Sequence, residues 1–436
     1  MRLILDALYL VMGLTYLPFL IYQMVFLKKN RRGWRQRFGG VPRRTDRRPA
    51  IWIHAVSLGE VNATRQMVAA LEERLPQFET VLSVTTDTGH AAARRLYPGR
   101  TVFRYPLDFS FVVARALRRI RPAAIVLMEL EVWPNLIAMA AARGIPVCIA
   151  NGRVTEERSM RRFRRTPLRG MARRMFSRIG WVGAQSVAYA ERFVELGAPR
   201  DRVAVTGSMK FDTADVCDRV DGDADLAAAM GIDRSRPLIV AGSTGPGEEA
   251  PLLESYRKIL DTHGNAQLAI IPRKPERFEE VARTIEAAGF SCRRRSRHPD
   301  GAPTSPPGTP RTVFLGDTMG ELRKFYSLAS VVFVGRTLVP LGGSDLMEIA
   351  ALARPMCFGP HVENFADIAG ELLRENAAVQ IADVAELDAA IGSLLADNQR
   401  ATDIGRRARQ VVEKNRGATQ QTVEAIVHLL GASAAS

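Results

Sequence analysis

The sequence predicts an α/β protein with two doubly wound parallel-sheet domains that face each other across a cleft, behind an N-terminal membrane-anchor helix. Three observations lead to this prediction. Short apolar, β-branched runs alternate with amphipathic stretches in two series, an Asp- and Ala-rich segment (residues 212–236) separates the series, and residues 3–27 are nearly all apolar. Alternating strands and helices indicate a parallel sheet covered by helices on both faces.

The amino-terminal segment, residues 1–37, predicts a membrane anchor with a basic flank. About 20 consecutive apolar residues suffice to cross a bilayer as a helix. The basic run KKNRRGWRQR follows the apolar stretch directly, and no small-residue cleavage site is evident. This order favours a permanent anchor with the body of the protein on the cytoplasmic face. A helix lying in the membrane interface is the alternative.

The first series of strands and helices predicts a domain over residues 38–215. Its helical stretches include Val61–Leu75 and Trp133–Arg143. Its predicted strands are Ile51–Val56, Thr80–Thr85, Thr101–Tyr105, Ala123–Met128, Ile145–Ala150, Arg178–Ala184 and Arg202–Thr206.

The second series predicts a domain over residues 216–401. Its predicted strands are Pro237–Gly242, Gln267–Ile271, Thr312–Leu315, Val331–Val334 and Pro355–Phe358. Residues 293–312 are rich in Pro, Gly and Ser and predict an exposed loop. In the last segment, 402–436, residues 402–431 predict one final helix that packs back toward the first domain. Two Rossmann-like domains in this arrangement form the GT-B architecture.

The composition indicates an anionic partner. The chain carries 61 Lys and Arg against 46 Asp and Glu, a net charge of +15, which suits an anionic membrane surface or a phosphorylated ligand. No nucleic-acid-binding module is recognisable, so nucleic acid is not expected as a partner. The six histidines form no HxxH or HExxH pattern and the four cysteines have no metal-ligand or redox spacing. We therefore expect reduced cysteines, no metal and no cofactor.

The stretch IWIHAVSLGE, ending at Glu60, is a candidate catalytic segment. It reads as a buried strand, a tight turn and the start of a helix, and ligands in open parallel sheets collect beyond the carboxyl ends of strands. A carboxylate at a helix N-terminus is favoured in its ionised form, which suits a general base. The alternative is that Ser57 and Glu60 form a capping box and only satisfy backbone donors.

Two further stretches of the first domain carry charged residues at predicted strand ends. Glu129 and Glu131 lie in MELEVWPN, between a strand and a helix, where acids need partners; helix capping is the alternative. Lys210 lies in TGSMKFD, where a cation could neutralise a departing phosphate; a solvated lysine is the alternative.

The second domain presents a series of turns suited to binding an anion. VAGSTGPGEE (240–249) runs from a strand into a helix N-terminus, which can cradle an anion on backbone N–H groups. Arg273 stands in IIPRKPERF on a stiff backbone and is suited to bidentate phosphate contact. LGDTMGEL (315–322) could meet a base or ribose, and Glu348 in LGGSDLMEIA could accept ribose hydroxyl groups.

The ordered motif set AVSLGE, MELEVWPN, ANGRV, TGSMKFD, PRKPERF, GDTMGEL and GPHVENF, behind an N-terminal anchor, resembles the Kdo transferase family over residues 5–430. Kdo is 3-deoxy-D-manno-octulosonic acid. The resemblance implies a GT-B glycosyltransferase that moves Kdo with inversion from CMP-Kdo to a lipid A precursor, a tetraacyl disaccharide bisphosphate, in lipopolysaccharide biosynthesis. It also implies a place on the cytoplasmic face of the inner membrane, an acceptor-binding first domain and a CMP-sugar-binding second domain.

The resemblance also implies roles for individual residues. Glu60 matches the general base, and Glu129 and Lys210 match residues that support the transition state. The matches to the CMP-binding stretches are Pro272, Arg273, Met319, Gly320, Glu321, Asp345 and Glu348.

Three departures from the family pattern fall in the second domain. Ser344-Asp345 replaces His-Asn, Lys274 replaces His, and Gly245-Pro246 replaces His-Glu. Two alternatives therefore stay open: another membrane-associated GT-B glycosyltransferase with a different nucleotide-sugar donor, or a non-catalytic sugar-nucleotide-binding membrane protein.

The basic stretch 161–178 is expected to meet anionic lipid or the acceptor phosphates, and its alternative is a solvated face. The oligomeric state is left open.

Overall fold

The computed structural model describes residues 2–26, 32–44, 46–164, 168–298 and 312–434. The chain divides into two compact units, Met1–Thr213 with Asn415–Ser436, and Ala214–Lys414. We call them unit 1 and unit 2. Parts of the predicted basic flank, the basic stretch 161–178 and the loop 293–312 lie outside the described residues.

Unit 1 contains a seven-stranded parallel sheet in the order β3-β2-β1-β4-β5-β6-β7. Its central strands are apolar and completely buried, as expected for a sheet with helices on both faces. The strands are β1 Ala50–Ala55, β2 Glu79–Val84, β3 Val102–Arg104, β4 Pro122–Met128, β5 Val147–Gly152, β6 Trp181–Ala184 and β7 Val203–Val205.

Helices cover both faces of this sheet. One apolar cluster packs Trp52, Phe103 and Phe176 on one face, and a second packs Ile51, Ile53 and Met67 on the other. The helices are α1 Arg2–Val25, α2 Trp34–Arg37, α3 Leu58–Arg74, α4 Asp87–Leu96, α5 Ser110–Ile120, α6 Pro134–Ala141, α7 Arg161–Arg164, α8 Leu168–Phe176, α9 Val187–Leu196, α10 Met209–Asp212 and α19 Ala418–Ala434.

Helix α1 differs from the other helices of unit 1 because its apolar side chains face outward. Leu3 is 80% exposed, Leu14 60% and Val25 55%. By length and composition Leu3–Val25 could cross a membrane. An exposed apolar surface of this size is typical of a site that contacts a membrane or another protein.

Unit 2 also contains a seven-stranded parallel sheet, in the order β10-β11-β9-β8-β12-β13-β14. Its strands are β8 Leu238–Thr244, β9 Gln267–Pro272, β10 Ser291–Arg294, β11 Thr312–Leu315, β12 Val331–Val334, β13 Met356–Phe358 and β14 Val379–Gln380. Its helices are α11 Asp223–Met230, α12 Glu249–Thr262, α13 Phe278–Ala287, α14 Leu322–Leu328, α15 Met347–Ala351, α16 Ala366–Arg374, α17 Leu387–Ala396 and α18 Asn398–Lys414.

The structure corrects the prediction of one continuous helix over residues 402–431. The segment belongs to two helices, α18 and α19, with a break between Asn415 and Gly417. Gly417 has φ +109°, a conformation that side-chain-bearing residues rarely adopt and that stops a helix. The new helix is capped by Asp212, which accepts hydrogen bonds from the N–H groups of Gly417 and Thr419, each 2.6 Å long.

Two short strands were not predicted. β10, with the sequence SCRR, lies at an edge of the sheet and overlaps the start of the predicted loop 293–312, and β14 has only two residues. Neither has the apolar run by which buried strands are recognised. They are strands because their backbones pair with apolar neighbours.

Candidate functional site

The topological switch point of unit 1 lies between β1 and β4, where the chain connections diverge to opposite sides of the sheet. The crevice beyond the carboxyl ends of two such strands is the usual ligand site of an open α/β sheet. Glu60 follows β1, and Glu129 and Glu131 follow β4. The structure therefore places these three acids at one crevice.

Glu60 is held in a fixed orientation at the start of α3. Its carboxylate accepts hydrogen bonds from the Val56 N–H (2.9 Å), the Ser57 N–H (3.2 Å) and the Ser57 hydroxyl (2.9 Å). The Glu60 N–H in turn donates to Ser57 Oγ at 3.3 Å. The capping box is therefore present. A carboxylate has about four lone-pair sites, so three donors orient Glu60 and leave capacity for a substrate proton.

The electrostatic setting of Glu60 suits a proton acceptor. The side chain is buried, and burial raises the pKa of the Glu60 carboxyl; the negative charge of Glu129 raises it further, against hydrogen bonds that lower it. Burial, together with the charge of Glu60, raises the pKa of Glu131 to about 7. A base whose pKa lies nearer to neutrality transfers protons more effectively at physiological pH.

His54 lies beneath the acids. It is fully buried and stacks on Tyr105 at 3.8 Å between ring centroids, and burial lowers its pKa to about 3, so the ring is neutral. Nδ1 lies 3.1 Å from the Ser83 carbonyl oxygen, which can only accept, so Nδ1 carries the proton. The Nε2 lone pair then faces Glu131 at 4.0 Å.

Glu129 occupies a strained backbone position. Its φ is +54°, in the left-handed region, and its N–H donates to the Ala150 carbonyl at 2.9 Å. Left-handed conformations of residues other than glycine cost free energy and cluster at functional sites. The turn MELEVWPN thus ends β4 abruptly and keeps the acid beside Glu60.

Lys210 lies on the short helix α10, which is positioned by Asn151. Asn151 is buried, has φ +55°, and accepts the Met209 N–H at 3.0 Å. In the part of the chain that the structure describes, no hydrogen bond or ion pair joins Lys210 to Glu60 or Glu129. The positioning role of Asn151 was not predicted, although its motif ANGRV was singled out.

In unit 2 the switch point lies between β8 and β12, and a buried carboxylate bridges the two turns there. Glu248 is fully buried and accepts four backbone hydrogen bonds. The donors are the N–H groups of Gly245 (2.8 Å), Arg336 (2.6 Å), Thr337 (2.9 Å) and Leu338 (3.0 Å). Its lone-pair sites are all used, which fits a structural acid. This bridge could not be predicted from the sequence because its two sides are 88 or more residues apart.

Three of the predicted donor-side residues influence one another electrostatically. Burial and the charge of Asp345 raise the pKa of Glu348, while the positive charges of Arg323 and Arg273 lower it. Arg273 is exposed at the end of β9, next to the buried Pro272, and its N–H donates to the Thr244 carbonyl at 3.1 Å. Unit 2 therefore brings together a cation and two acids near the end of β8.

The Met319–Glu321 turn is arranged differently. Glu321 forms a two-point ion pair with Arg295, at 2.9 and 3.0 Å, and also accepts the Thr318 hydroxyl. Met319 is 70% exposed, and Gly320 has φ +89°. The Glu321 carboxylate is thus engaged within unit 2, and the backbone of the turn is what a ligand can meet.

A buried ion pair, also not predicted, fixes the turn after β9. Arg277 binds Glu249 with two hydrogen bonds, 2.6 and 3.0 Å long. Lys274, in contrast, pairs with Glu276 at 3.7 Å where both side chains are exposed. Within the described ranges, no three metal-ligating side chains lie close enough to hold an ion.

Comparisons with known proteins relate the chain to one enzyme family. Residues 32–213 match a family model described as 3-deoxy-D-manno-octulosonic-acid transferase (kdotransferase). The chain is 36% identical over 395 residues to the 3-deoxy-D-manno-octulosonic acid transferase of Bordetella pertussis, covering 87% of each chain. It is 32% identical over 380 residues to that of Haemophilus influenzae, covering 86% of each.

A solved structure shares the fold. The UDP-GlcNAc 2-epimerase of Neisseria meningitidis superposes with a TM-score of 0.56 at 10% identity, over 87% of this chain and 100% of that one. At this identity the likeness concerns the fold alone. With the two parallel-sheet units, it confirms the predicted GT-B fold class.

We expect Glu248→Gln to destabilise unit 2. The amide NH2 would face backbone N–H donors, and an unsatisfied buried polar group costs about 1–3 kcal/mol. Chemical unfolding should show that loss, while Glu254→Gln, on the exposed face of α12, should change the free energy of unfolding little. Equal stability of the two variants would contradict the structural role of Glu248.

Proposed function

The chain belongs to the 3-deoxy-D-manno-octulosonic acid transferase family and is a Kdo glycosyltransferase, and on this basis we propose that it transfers Kdo from CMP-Kdo to a lipid A precursor with inversion. The acceptor is a tetraacyl disaccharide bisphosphate. The observation that carries the proposal is the placement of Glu60, oriented by three hydrogen bonds, beside Glu129 at the switch point of unit 1.

In the proposed reaction a hydroxyl group of the acceptor attacks the anomeric carbon of Kdo. The new carbon–oxygen bond forms as the bond from that carbon to the CMP phosphate breaks, and CMP leaves with the electron pair. The hydroxyl proton passes to the Glu60 carboxylate. Burial supports this role because it raises the pKa of Glu60 toward the working pH.

Glu129 and Lys210 are proposed to support the transition state. The charge of Glu129 keeps the pKa of Glu60 raised, and its strained backbone holds it in place. Lys210 would neutralise charge that develops on the phosphate or meet the acidic donor sugar, a role suited to a point charge on a short, well-held helix.

Unit 2 is proposed to bind the CMP-Kdo donor. Arg273 would contact its phosphate, and Asp345 and Glu348 would accept ribose hydroxyl groups. Pro272 would stiffen the turn, and the Met319–Gly320–Glu321 backbone would meet the base. No metal is needed in this scheme because Arg273, Lys210 and helix N-termini supply the positive charge.

The place of action is proposed to be the cytoplasmic face of the inner membrane. The exposed apolar helix α1 and the net charge of +15 both suit an anionic lipid surface. An acceptor with acyl chains resides in that surface, so the anchor brings the enzyme to its substrate.

Glu60→Gln should reduce Kdo transfer by about 10²–10⁴-fold, because a positioned base contributes that much. CMP-Kdo binding should survive. Transfer is measured with purified protein, CMP-Kdo and lipid A precursor by mass spectrometry of the product, and donor binding by calorimetry. Glu73→Gln, an exposed acid on the same helix, is the matched control. Full turnover in Glu60→Gln would remove Glu60 from the mechanism.

Glu129→Gln should move the acid limb of the pH–rate profile to lower pH. The negative charge of Glu129 raises the pKa of Glu60, so its loss lowers that pKa and leaves the base ionised in more acidic solution. The measurement is kcat against pH at saturating donor. Asp201→Asn, an exposed acid elsewhere in unit 1, should leave the limb in place. A limb that stays fixed or moves to higher pH in Glu129→Gln would exclude this coupling.

CMP should raise the melting temperature more than UDP does, which separates a CMP-sugar enzyme from one with a uridine-nucleotide donor.

Arg273→Ala should weaken CMP binding by roughly 10–100-fold, the range for a charge-assisted hydrogen bond of about 1.5–3 kcal/mol. Its exposed neighbour provides the control, since Lys274→Ala removes a cation already paired with Glu276. Equal losses in both variants would indicate a general charge effect instead of a specific contact.

A further inference from the structure

The chain is attached to unit 1 at the amino end of the apolar helix α1 and again after this helix, at residues 33–37. At its amino end, Asp6 accepts hydrogen bonds from the Ser110 N–H (2.8 Å), the Ser110 hydroxyl and the Asn135 side-chain amide (3.0 Å). One turn further on, the Tyr9 hydroxyl donates to Asp108 at 3.2 Å. The Tyr9 ring also meets Phe109 edge-on, at 5.9 Å between centroids.

Beyond the carboxyl end of α1, the chain is attached again at residues 33–37. The Arg104 N–H donates to the Gln36 side chain at 2.8 Å, and the Arg37 guanidinium donates to the Thr85 carbonyl at 2.9 Å. The Leu107 N–H donates to the Arg37 carbonyl at 2.8 Å. These contacts hold short helix α2 against the same unit.

All the attachment points lie at one edge of the unit 1 sheet. Thr85 follows β2, Arg104 ends β3, Ser110 begins α5 after β3, and Asn135 lies in the first turn of α6 after β4. These are the carboxyl ends of parallel strands, the edge that also carries Glu60. We call this end of the sheet, formed by the carboxyl ends of its strands, the catalytic edge. The anchor is therefore attached at the catalytic edge.

A helix that crosses a bilayer has its two ends on opposite faces of the membrane. Asp6, near the start of α1, is bound to Ser110, and Gln36, on α2 after α1, is bound to Arg104, so the chain lies against unit 1 both before and after the apolar stretch. If α1 crossed the membrane under these constraints, the segment LKKNRRG after it would have to cross back with four cations. Charges and unpaired backbone groups are too costly in hydrocarbon for that path.

We propose that α1 does not span the membrane but lies in the plane of its cytoplasmic surface, along the catalytic edge of unit 1. The occupant of its exposed apolar face is the lipid bilayer. This inference rests on the proposed function only for the identity of the membrane.

Two other exposed apolar residues follow the carboxyl ends of strands in the same sheet. Phe111 is 64% exposed at the start of α5 and contacts Phe109, which itself contacts Tyr9. Leu58, two residues before Glu60, is 44% exposed. Leu58 and Glu60 follow the carboxyl end of β1, so under the proposed function the proton acceptor lies at the same end of the sheet as the attachments of α1.

Depth measurements in vesicles distinguish the two orientations. A fluorophore is attached to single cysteines, Leu3→Cys, Leu14→Cys or Val25→Cys, in full-length protein with the partly exposed Cys217 and Cys292 changed to Ser; Cys148 and Cys357 are buried. The vesicles contain phosphatidylglycerol and phosphatidylethanolamine, with nitroxide-labelled lipids at the headgroup or deep in the chain.

A helix in the plane of the surface should give the same shallow depth at all three positions. A spanning helix should place Leu14 near the bilayer centre, with much stronger quenching by the deep nitroxide than at Leu3 or Val25, and that result would overturn the proposal. Asp6→Leu should release the amino end and deepen the Leu3 probe, whereas Tyr16→Leu, on the exposed face of α1, should not. An unchanged Leu3 depth in Asp6→Leu would exclude Asp6 as the attachment.

Kdo transfer is measured in the same vesicles. If the probes report a spanning helix while the protein transfers Kdo, this inference is wrong and the proposed function stands. An in-plane helix in protein without transfer activity contradicts the proposed function instead.

Discussion

The same constraint shapes both units: the backbone N–H groups of the turn after the first strand must be paired, and a glutamate at the start of the following helix pairs them. Glu60 does so for Val56 and Ser57 in unit 1, and Glu248 for Gly245 in unit 2. An orphaned buried N–H costs about as much as a lost hydrogen bond. These carboxylates therefore fix the turns beside the two switch points, and the surrounding site residues depend on that geometry.

The two glutamates differ in what else they meet. Glu248 is saturated by four backbone donors and joins the turns after β8 and β12, so nothing is left with which to react. Glu60 has three donors and a like charge nearby. The number of donors and the charge of the neighbours separate an acid that holds the fold from one that can take a proton. The residue type is the same, although Glu60 is the third residue of α3 and Glu248 directly precedes α12.

The fold was largely predictable because buried parallel strands are continuous apolar runs, and those runs match the observed strands to within a few residues. The exceptions are informative. β10 and β14 are short and largely polar, and the break at Gly417 depends on a cap from Asp212, distant in sequence. Asn151 and Glu248 were missed as positioning residues for the same reason: their partners lie far along the chain. The acids Glu60 and Glu129 could be located because each directly follows a recognisable strand.

Helix α19 has a consequence for how the protein is made. Val423, Ile426 and Leu430 are buried in the core of unit 1, although 201 residues of unit 2 separate this helix from the rest of that core. During synthesis the amino-terminal part of unit 1 leaves the ribosome long before the residues of α19 are added. The apolar face that α19 covers in unit 1 therefore stays uncovered until synthesis of the chain is complete.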